Sequence, residues 1–300
     1  MMPSGRYGPG VTPSLDPDLL RWATGGREAT EVRGMRDGGS PWLIRTGGTA
    51  VVLRVGTSAS RDSMRTEAAA LDLAARHGVP APRLLAADLD AEPPVLLTAV
   101  LDGSSAIPPN RPPIRLRALG AVAAALRSLP VEGTTSLPPR DRPIATVDFA
   151  ALRRDQPSAL LTAAEERITG RPVPGEPGLV HGDLWQGNAL WQGDRLVGLV
   201  DWDCAGVGPA GVDLGSLRCD AAICFGPEAA GDALAGWEDA AGRPAEDVPY
   251  WDAVAALSTP PDLGWFPGAI AGQGRPDLVR ELLLERRDAF LAAALDRLDQ

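Results

Sequence analysis

The 300-residue sequence predicts an α+β chain in two lobes, strand-rich first and mainly helical after. Three observations lead there. Short apolar runs punctuated by Gly and Pro dominate the first hundred residues. A segment rich in proline and small polar residues, "DGSSAIPPNRPP" from Asp102, cannot continue a strand or a helix. Beyond it, most apolar residues recur at helical spacing. Such segregation of strands from helices is the α+β pattern and predicts a cleft between two lobes, 1–101 and 102–300.

In the first lobe, "SPWLIRTGGTAVVLRVG" reads as two strands joined by Thr46-Gly47-Gly48-Thr49, where glycines suit a hairpin that needs positive φ. "SRDSMRTEAAALDLAARHGVPAP" reads as a helix. Ser60 or Asp62 is its candidate cap, Met64, Ala68, Leu71 and Ala74 or Ala75 its apolar stripe, and Gly78 with Pro80 its end. His77 falls in its last turn, as a helix-dipole partner. "RLLAADLD" and "PVLLTAVL" are two more strands.

In the second lobe, helices are expected at "IRLRALGAVAAALRSL", within Arg153 to Thr169, at "EAAGDALAGWEDAAG", at "DVPYWDAVAAL", and from about Asp277 to Leu298. "STPPDLGWFPG" reads as a loop near a pocket mouth. Trp237, Tyr250, Trp251 and Trp265 are either pocket-lining or core.

Composition narrows the function classes. A formal charge of −10 argues against wrapping nucleic acid. No stretch approaches the roughly 18 apolar residues of a membrane helix, so no membrane is expected. The N-terminal residues lack an apolar core of signal-peptide type, and the expected location is cytoplasmic. Cys204, Cys219 and Cys224 form no CxxC pair, against a disulfide framework or structural zinc. There is no lysine: all 29 basic residues are arginine, so any task suited to lysine falls to arginine.

Chemistry concentrates between Gly178 and Gly215, in "GLVHGDLWQGNALWQGDRLVGLVDWDCAGVGPAGVDLG". "NALW" and "RLVGLV" pair naturally across Gly193-Asp194. That hairpin would draw Asp183 and Asn188, before its first strand, towards Asp201, after its second. Three oxygen-bearing side chains suit magnesium, a hard ion, and not zinc with one histidine at hand. Taken singly, Asp183 and Asn188 read first as turn residues, and Asp213 equally as a helix N-cap or first-turn acid.

The ordered set His181-Gly182-Asp183, Asn188, Asp201-Trp202-Asp203, Pro209 and Asp213-Leu214 resembles the aminoglycoside phosphotransferase and choline kinase family. The resemblance spans about residues 30 to 290. It implies a bilobal protein-kinase-like fold, with a five-stranded antiparallel sheet and one helix in a nucleotide-binding lobe, and an acceptor site in the helical lobe. It implies that Asp183 is the catalytic aspartate, Asn188 and Asp201 are magnesium ligands, and His181 and Asp213 support the loop. Asp203 is a further candidate behind the metal. In the first lobe it implies a phosphate loop at Gly38, Gly39 and Ser40, and a strand cation at Arg54, where the pattern has lysine. It pairs Arg54 with Glu67 on the following helix and sets a hinge for the base near Thr98, Val100 and Leu101. The cofactors are then ATP or GTP with magnesium, and the partner is a small hydroxyl-bearing molecule.

From Asp220 onward there are 15 acidic residues and 6 arginines, −9 of the chain's −10. Such a balance favours a cationic acceptor, unless these are solvated helix faces. The competing reading is a nucleotide-binding regulatory module without transfer activity, which arginine in place of lysine keeps open. A metal-dependent phosphohydrolase would need more ligands than the block offers.

Overall fold

A computed structural model describes residues 14–36, 39–131 and 137–298. By contacts the chain divides into two compact units, Met1–Leu101 and Asp102–Gln300.

The first unit opens with α1 (Pro17–Thr24), which the sequence reading did not place. Its signals are plain in retrospect. Asp16 caps it, accepting the amides of Asp18 and Leu19 at 2.7 and 3.3 Å, and Pro17 sits at the first helical position. Then follow β1 (Ala29–Arg36), β2 (Gly39–Thr46), β3 (Thr49–Val55), α2 (Arg61–Arg76), β4 (Leu84–Asp88) and β5 (Val95–Ala99). The strands form one antiparallel sheet in the order β1-β2-β3-β5-β4. Strand alternation gives it two faces. Trp42, Ile44, Leu53, Val95 and Leu97 pack with Leu19, Leu20 and Ala23 of α1. Arg54, one residue out of phase with Leu53, belongs to the other face and meets α2.

The Thr46–Thr49 hairpin forms as expected, but neither Gly47 nor Gly48 adopts positive φ. A 2.8 Å bond between the Thr46 and Thr49 hydroxyls reinforces it instead. Ser60 does occupy the cap position of α2, yet its hydroxyl accepts from the Thr57 amide at 2.8 Å rather than from an amide of the helix. Gly78 follows the helix, and His77 is its C-terminal cap residue.

The second unit contains α3 (Pro113–Arg127), α4 (Phe149–Asp155), α5 (Ala159–Ile168), β6 (Pro177–Val180), β7 (Ala189–Gln192), β8 (Arg195–Leu199), β9 (Gly206–Pro209), α6 (Gly211–Phe225), α7 (Pro227–Ala241), α8 (Val248–Leu257), α9 (Phe266–Gly272) and α10 (Arg280–Arg297). Helix α9 starts inside the stretch read from sequence as a loop. β6 pairs with β9, and β7 with β8. Helix α6 is buried on nearly every side, its Asp213, Arg218 and Asp220 included, against α7, α8 and α10. A bidentate ion pair, Arg218 Nε and Nη2 to Asp252 at 2.7 and 2.8 Å, ties α6 to α8. Helices α3 and α7 touch backbone to backbone: a Cβ on Gly120 would meet the Ala233 carbonyl oxygen at 2.1 Å, and one on Gly236 the Arg117 carbonyl oxygen at 2.1 Å. Trp237, Tyr250 and Trp251 are core residues rather than pocket lining, and only Trp265 stays partly exposed, against Phe149. Among the described residues no helix is long and apolar enough to cross a membrane.

Candidate active site

The site in the second unit is built where β6 ends. Beyond Val180 the chain turns, and both carboxylate oxygens of Asp213 on α6 receive it: His181 N donates to Oδ2 and Gly182 N to Oδ1, each at 2.8 Å. Asp213 is fully buried, and burial pushes its carboxyl up to about 6 against the opposing pull of these two amides. Gly182 has φ +78°, and a Cβ there would lie 2.0 Å from the Cys204 carbonyl oxygen. Glycine is required twice, by conformation and by space.

His181 is buried, with its ring tilted on Trp202 at 4.6 Å and Nε2 3.0 Å from the Val200 carbonyl oxygen. Burial pushes its pKa down to about 4, so it is neutral near pH 7 and Nε2 donates to that carbonyl. A neutral ring committed to a backbone carbonyl spaces the loop from the β8 end and transfers no proton.

Asp183 comes next, partly exposed. Asn188, in the single 3-10 turn Gln186–Asn188, donates Nδ2 to the Asp183 carbonyl oxygen at 2.9 Å and to Oδ2 at 3.0 Å. The β7–β8 hairpin draws the far side in, with Val200 N donating to Asn188 O at 2.8 Å. Asp201 follows with φ +65°, a left-handed conformation that aspartate tolerates better than most residues and that marks functional turns. Trp202 is buried and anchors the turn through Nε1 to the Leu199 carbonyl oxygen at 2.9 Å. Desolvation first, then the negative charge of Asp201, pushes the Asp183 carboxyl up to about 7, while the bond from Asn188 opposes the rise.

The donor set suits a hard divalent cation. Both hydrogen bonds of the Asn188 side chain use Nδ2, which leaves Oδ1 for a metal, and the negative charge of Asp201 acts on Asp183, the residue to which Asn188 is bonded. Among the described residues no group of three or more His, Cys, Asp or Glu side chains gathers to hold a metal.

In the first unit, Arg54 Nη1 lies 2.5 Å from Glu67 Oε2, and both side chains are largely buried. The expected phosphate loop falls at the β1–β2 turn, where Arg36 pairs with Gly39. Gly38 lies outside the described residues. Ser40 does not offer a free hydroxyl: its Oγ accepts from Val55 N at 2.9 Å and donates to Val55 O at 3.0 Å. Gly39 has φ +90° and lies against the Trp42 ring. Thr98 is buried within β5, paired with Val52 and Leu84, while Val100 and Leu101 lie beyond the last sheet pair, Val51–Ala99.

The structure therefore brings together His181, Asp183, Asn188, Asp201 and Asp213 in one unit, and Arg54 with Glu67 in the other. Asp203, one residue past Trp202, sits in the turn Trp202–Cys204 and contributes to the charge around Asp183. Several supports escaped sequence reasoning. Ile144 N donates to Gly182 O at 2.7 Å, and Arg140 Nε to Cys204 O at 2.8 Å, so the segment before α4 lies along the loop. Nothing in that segment's composition signals this. Asp220 was legible in principle, seven residues after Asp213 on one helix.

An α+β protein-kinase-like fold with this constellation defines a class, the kinase-type phosphotransferases. The family model described as the phosphotransferase enzyme family matches residues 31–257, and the chain belongs to that family. Among solved structures, aminoglycoside-3'-phosphotransferase of type VIII is 22% identical, with a TM-score of 0.59 over 80% of this chain and 97% of that one. The macrolide 2'-phosphotransferase of Brachybacterium faecium is 20% identical, with a TM-score of 0.62 over 93% of this chain and 98% of that one. The GDP and kanamycin complex of APH(2")-IIia is 19% identical, with a TM-score of 0.64 over 91% and 97%. No curated protein matches the chain.

Proposed function

We propose that this chain is a small-molecule kinase, which moves the γ-phosphoryl group of ATP or GTP to a hydroxyl of a small acceptor. The observation that carries the reading is the Asp183–Asn188–Asp201 cluster on a loop anchored by Asp213. Phosphoryl transfer asks little covalent chemistry of a protein. It asks for alignment of the acceptor and for neutralised charge.

In this reading Asp183 orients the acceptor hydroxyl and takes its proton. A cation on Asn188 and Asp201 would offset the Asp201 repulsion that helps to raise this carboxyl in the metal-free chain, and so favours the ionised form that accepts a proton. Asn188 and Asp201 hold magnesium, which when bound neutralises phosphate charge; Asp203 stands behind them. His181 and Asp213 keep Asp183 in place without touching substrate. Arg54, steadied by Glu67, supplies the cation for the nucleotide's phosphates, as a planar fork instead of a compact ammonium. Backbone groups of Gly39 and Ser40 approach the phosphates, and those of Val100 and Leu101 meet the base, whereas Thr98, paired on both sides within the sheet, has no backbone group to offer it. The Ser40 hydroxyl has no part in this, being committed to Val55.

The acidic balance beyond Asp220 supports a cationic acceptor. Aminoglycoside and macrolide enzymes among the structural neighbours support an antibiotic or a related amino-bearing metabolite as its chemical class. An enzyme fed by nucleoside triphosphate is placed in the cytoplasm. A coupled nucleotide-turnover screen over aminoglycosides, macrolides, amino alcohols and sugars, run with ATP and with GTP, tests the reading. Acceptor-dependent release of nucleoside diphosphate is expected. Tight nucleotide binding with no transfer to any acceptor would instead favour a regulatory module.

A further inference from the structure

The turn that carries Asn188 is gripped from outside by two side chains on different elements. Helix α6 presents Asp213 and, seven residues on, Asp220. That spacing puts both carboxylates on one face, about 10 Å apart along the axis. Asp213 takes the amides at the start of the loop, His181 and Gly182. Asp220 takes its end: Oδ2 lies 3.5 Å from both the backbone N and Nε2 of Gln186, and Oδ1 lies 3.5 Å from Cys224 Sγ. Gln186 is only 2% exposed and Asp220 only 7%.

From the other side comes Gln273, just past α9. Its Nε2 donates to the Gly187 carbonyl oxygen at 3.1 Å. The fit is close: a Cβ on Gly187 would lie 2.5 Å from Gln273 Nε2 and 2.2 Å from the Trp185 ring. Gln186, Gly187 and Asn188 form one 3-10 turn, closed by Asn188 N to Trp185 O at 3.1 Å. A displacement of Gln186 or Gly187 is therefore a displacement of Asn188.

An aliphatic side chain at position 220 would suit this core better than a buried carboxylate with long, loose bonds. Asp220 is a cost to the fold; one oxygen meets Cys224 of its own helix, and both contacts of the other fall on a single residue of the loop, Gln186. We propose that Asp220 and Gln273 are positioning residues for Asn188, which fix where its Oδ1 stands and so set the chain's affinity for the divalent cation that accompanies the nucleotide. This rests on the phosphotransfer reading above. It separates two jobs along α6, with Asp213 serving the Asp183 end of the loop and Asp220 the Asn188 end.

The test is a magnesium titration of turnover with the full-length protein, beside the acceptor KM and calorimetry of Mg–ATP binding. Gln273→Met removes the donor and keeps the length. Asp220→Leu removes the brace, and Asp220→Asn keeps an oxygen for Gln186. The half-saturating magnesium concentration should rise about tenfold in Gln273→Met and in Asp220→Leu, the usual scale for groups that orient a metal ligand. The acceptor KM should stay near the wild-type value, and Asp220→Asn should resemble the wild type. Should Asp220→Leu fail to fold, Gln273→Met and Asp220→Asn decide. An unshifted magnesium requirement in folded Gln273→Met overturns the inference, as does an Asp220→Asn variant impaired as far as Asp220→Leu. If wild type binds Mg–ATP while the variants do not shift, this inference alone is lost. A wild type that binds none overturns both readings.

Discussion

At the scale of single residues, the loop is held by groups that have no other freedom. Gly182 is the clearest case, because its amide must reach Asp213 while its α-carbon passes the Cys204 carbonyl. Gly182→Ala combines a positive φ with a 2.0 Å clash against backbone. Thermal denaturation should show a loss of about 2 kcal/mol or more, and turnover should fall further than stability because Asp183 is the next residue. An unshifted melting point with full turnover would contradict this account of the turn. Asp183, Asn188 and Asp201 were legible because their order in the chain is informative; their contacts were legible once the hairpin was assumed. What could not be read was their electrostatics. The rise of the Asp183 carboxyl comes from desolvation and from Asp201, and both depend on three-dimensional placement.

At the scale of elements, periodicity carries most of the information. The β2–β3 and β7–β8 hairpins and helices α2, α3, α7, α8 and α10 follow from apolar spacing and Gly or Pro punctuation. Helix α1 was missed although Asp16-Pro17 is a start signal, because eight residues are too few for an apolar stripe to stand out. Helix α9 was missed because Pro and Gly in "GWFPG" read as a loop, whereas Pro267 sits in its first turn, where no amide is needed. The close α3–α7 crossing is invisible to periodicity, since glycines in a helix interior look like flaws until the neighbouring backbone is seen. Gly236→Ala should force these helices apart and destabilise the protein by about 1–3 kcal/mol. Urea denaturation followed by circular dichroism checks this. A variant as stable as the wild type would mean that the crossing tolerates a methyl group.

At the scale of the whole molecule, buried ionisable groups make stability depend on pH in a definite direction. Asp213 and Asp220 are both pushed up to about 6 by burial. A carboxyl raised in the fold binds more protons folded than unfolded between its ordinary value, about 4, and its folded one. Stability therefore falls as pH rises through that window, by at most about 3 kcal/mol per group. His181, lowered to about 4, acts in the opposite sense over the same range and offsets one of them. Urea midpoints of the metal-free protein should show Asp220→Asn less dependent on pH between about 4 and 6 than the wild type. Identical slopes would contradict the burial of a titrating Asp220. The central claim, that an aspartate-led loop of this family performs phosphoryl transfer here, is tested most directly by Asp183→Asn. Acceptor phosphorylation, followed by mass spectrometry, should fall at least about a hundredfold, the lower end for loss of a general base, while calorimetry shows Mg–ATP bound as tightly as by the wild type. Near-normal phosphorylation by Asp183→Asn would contradict the account.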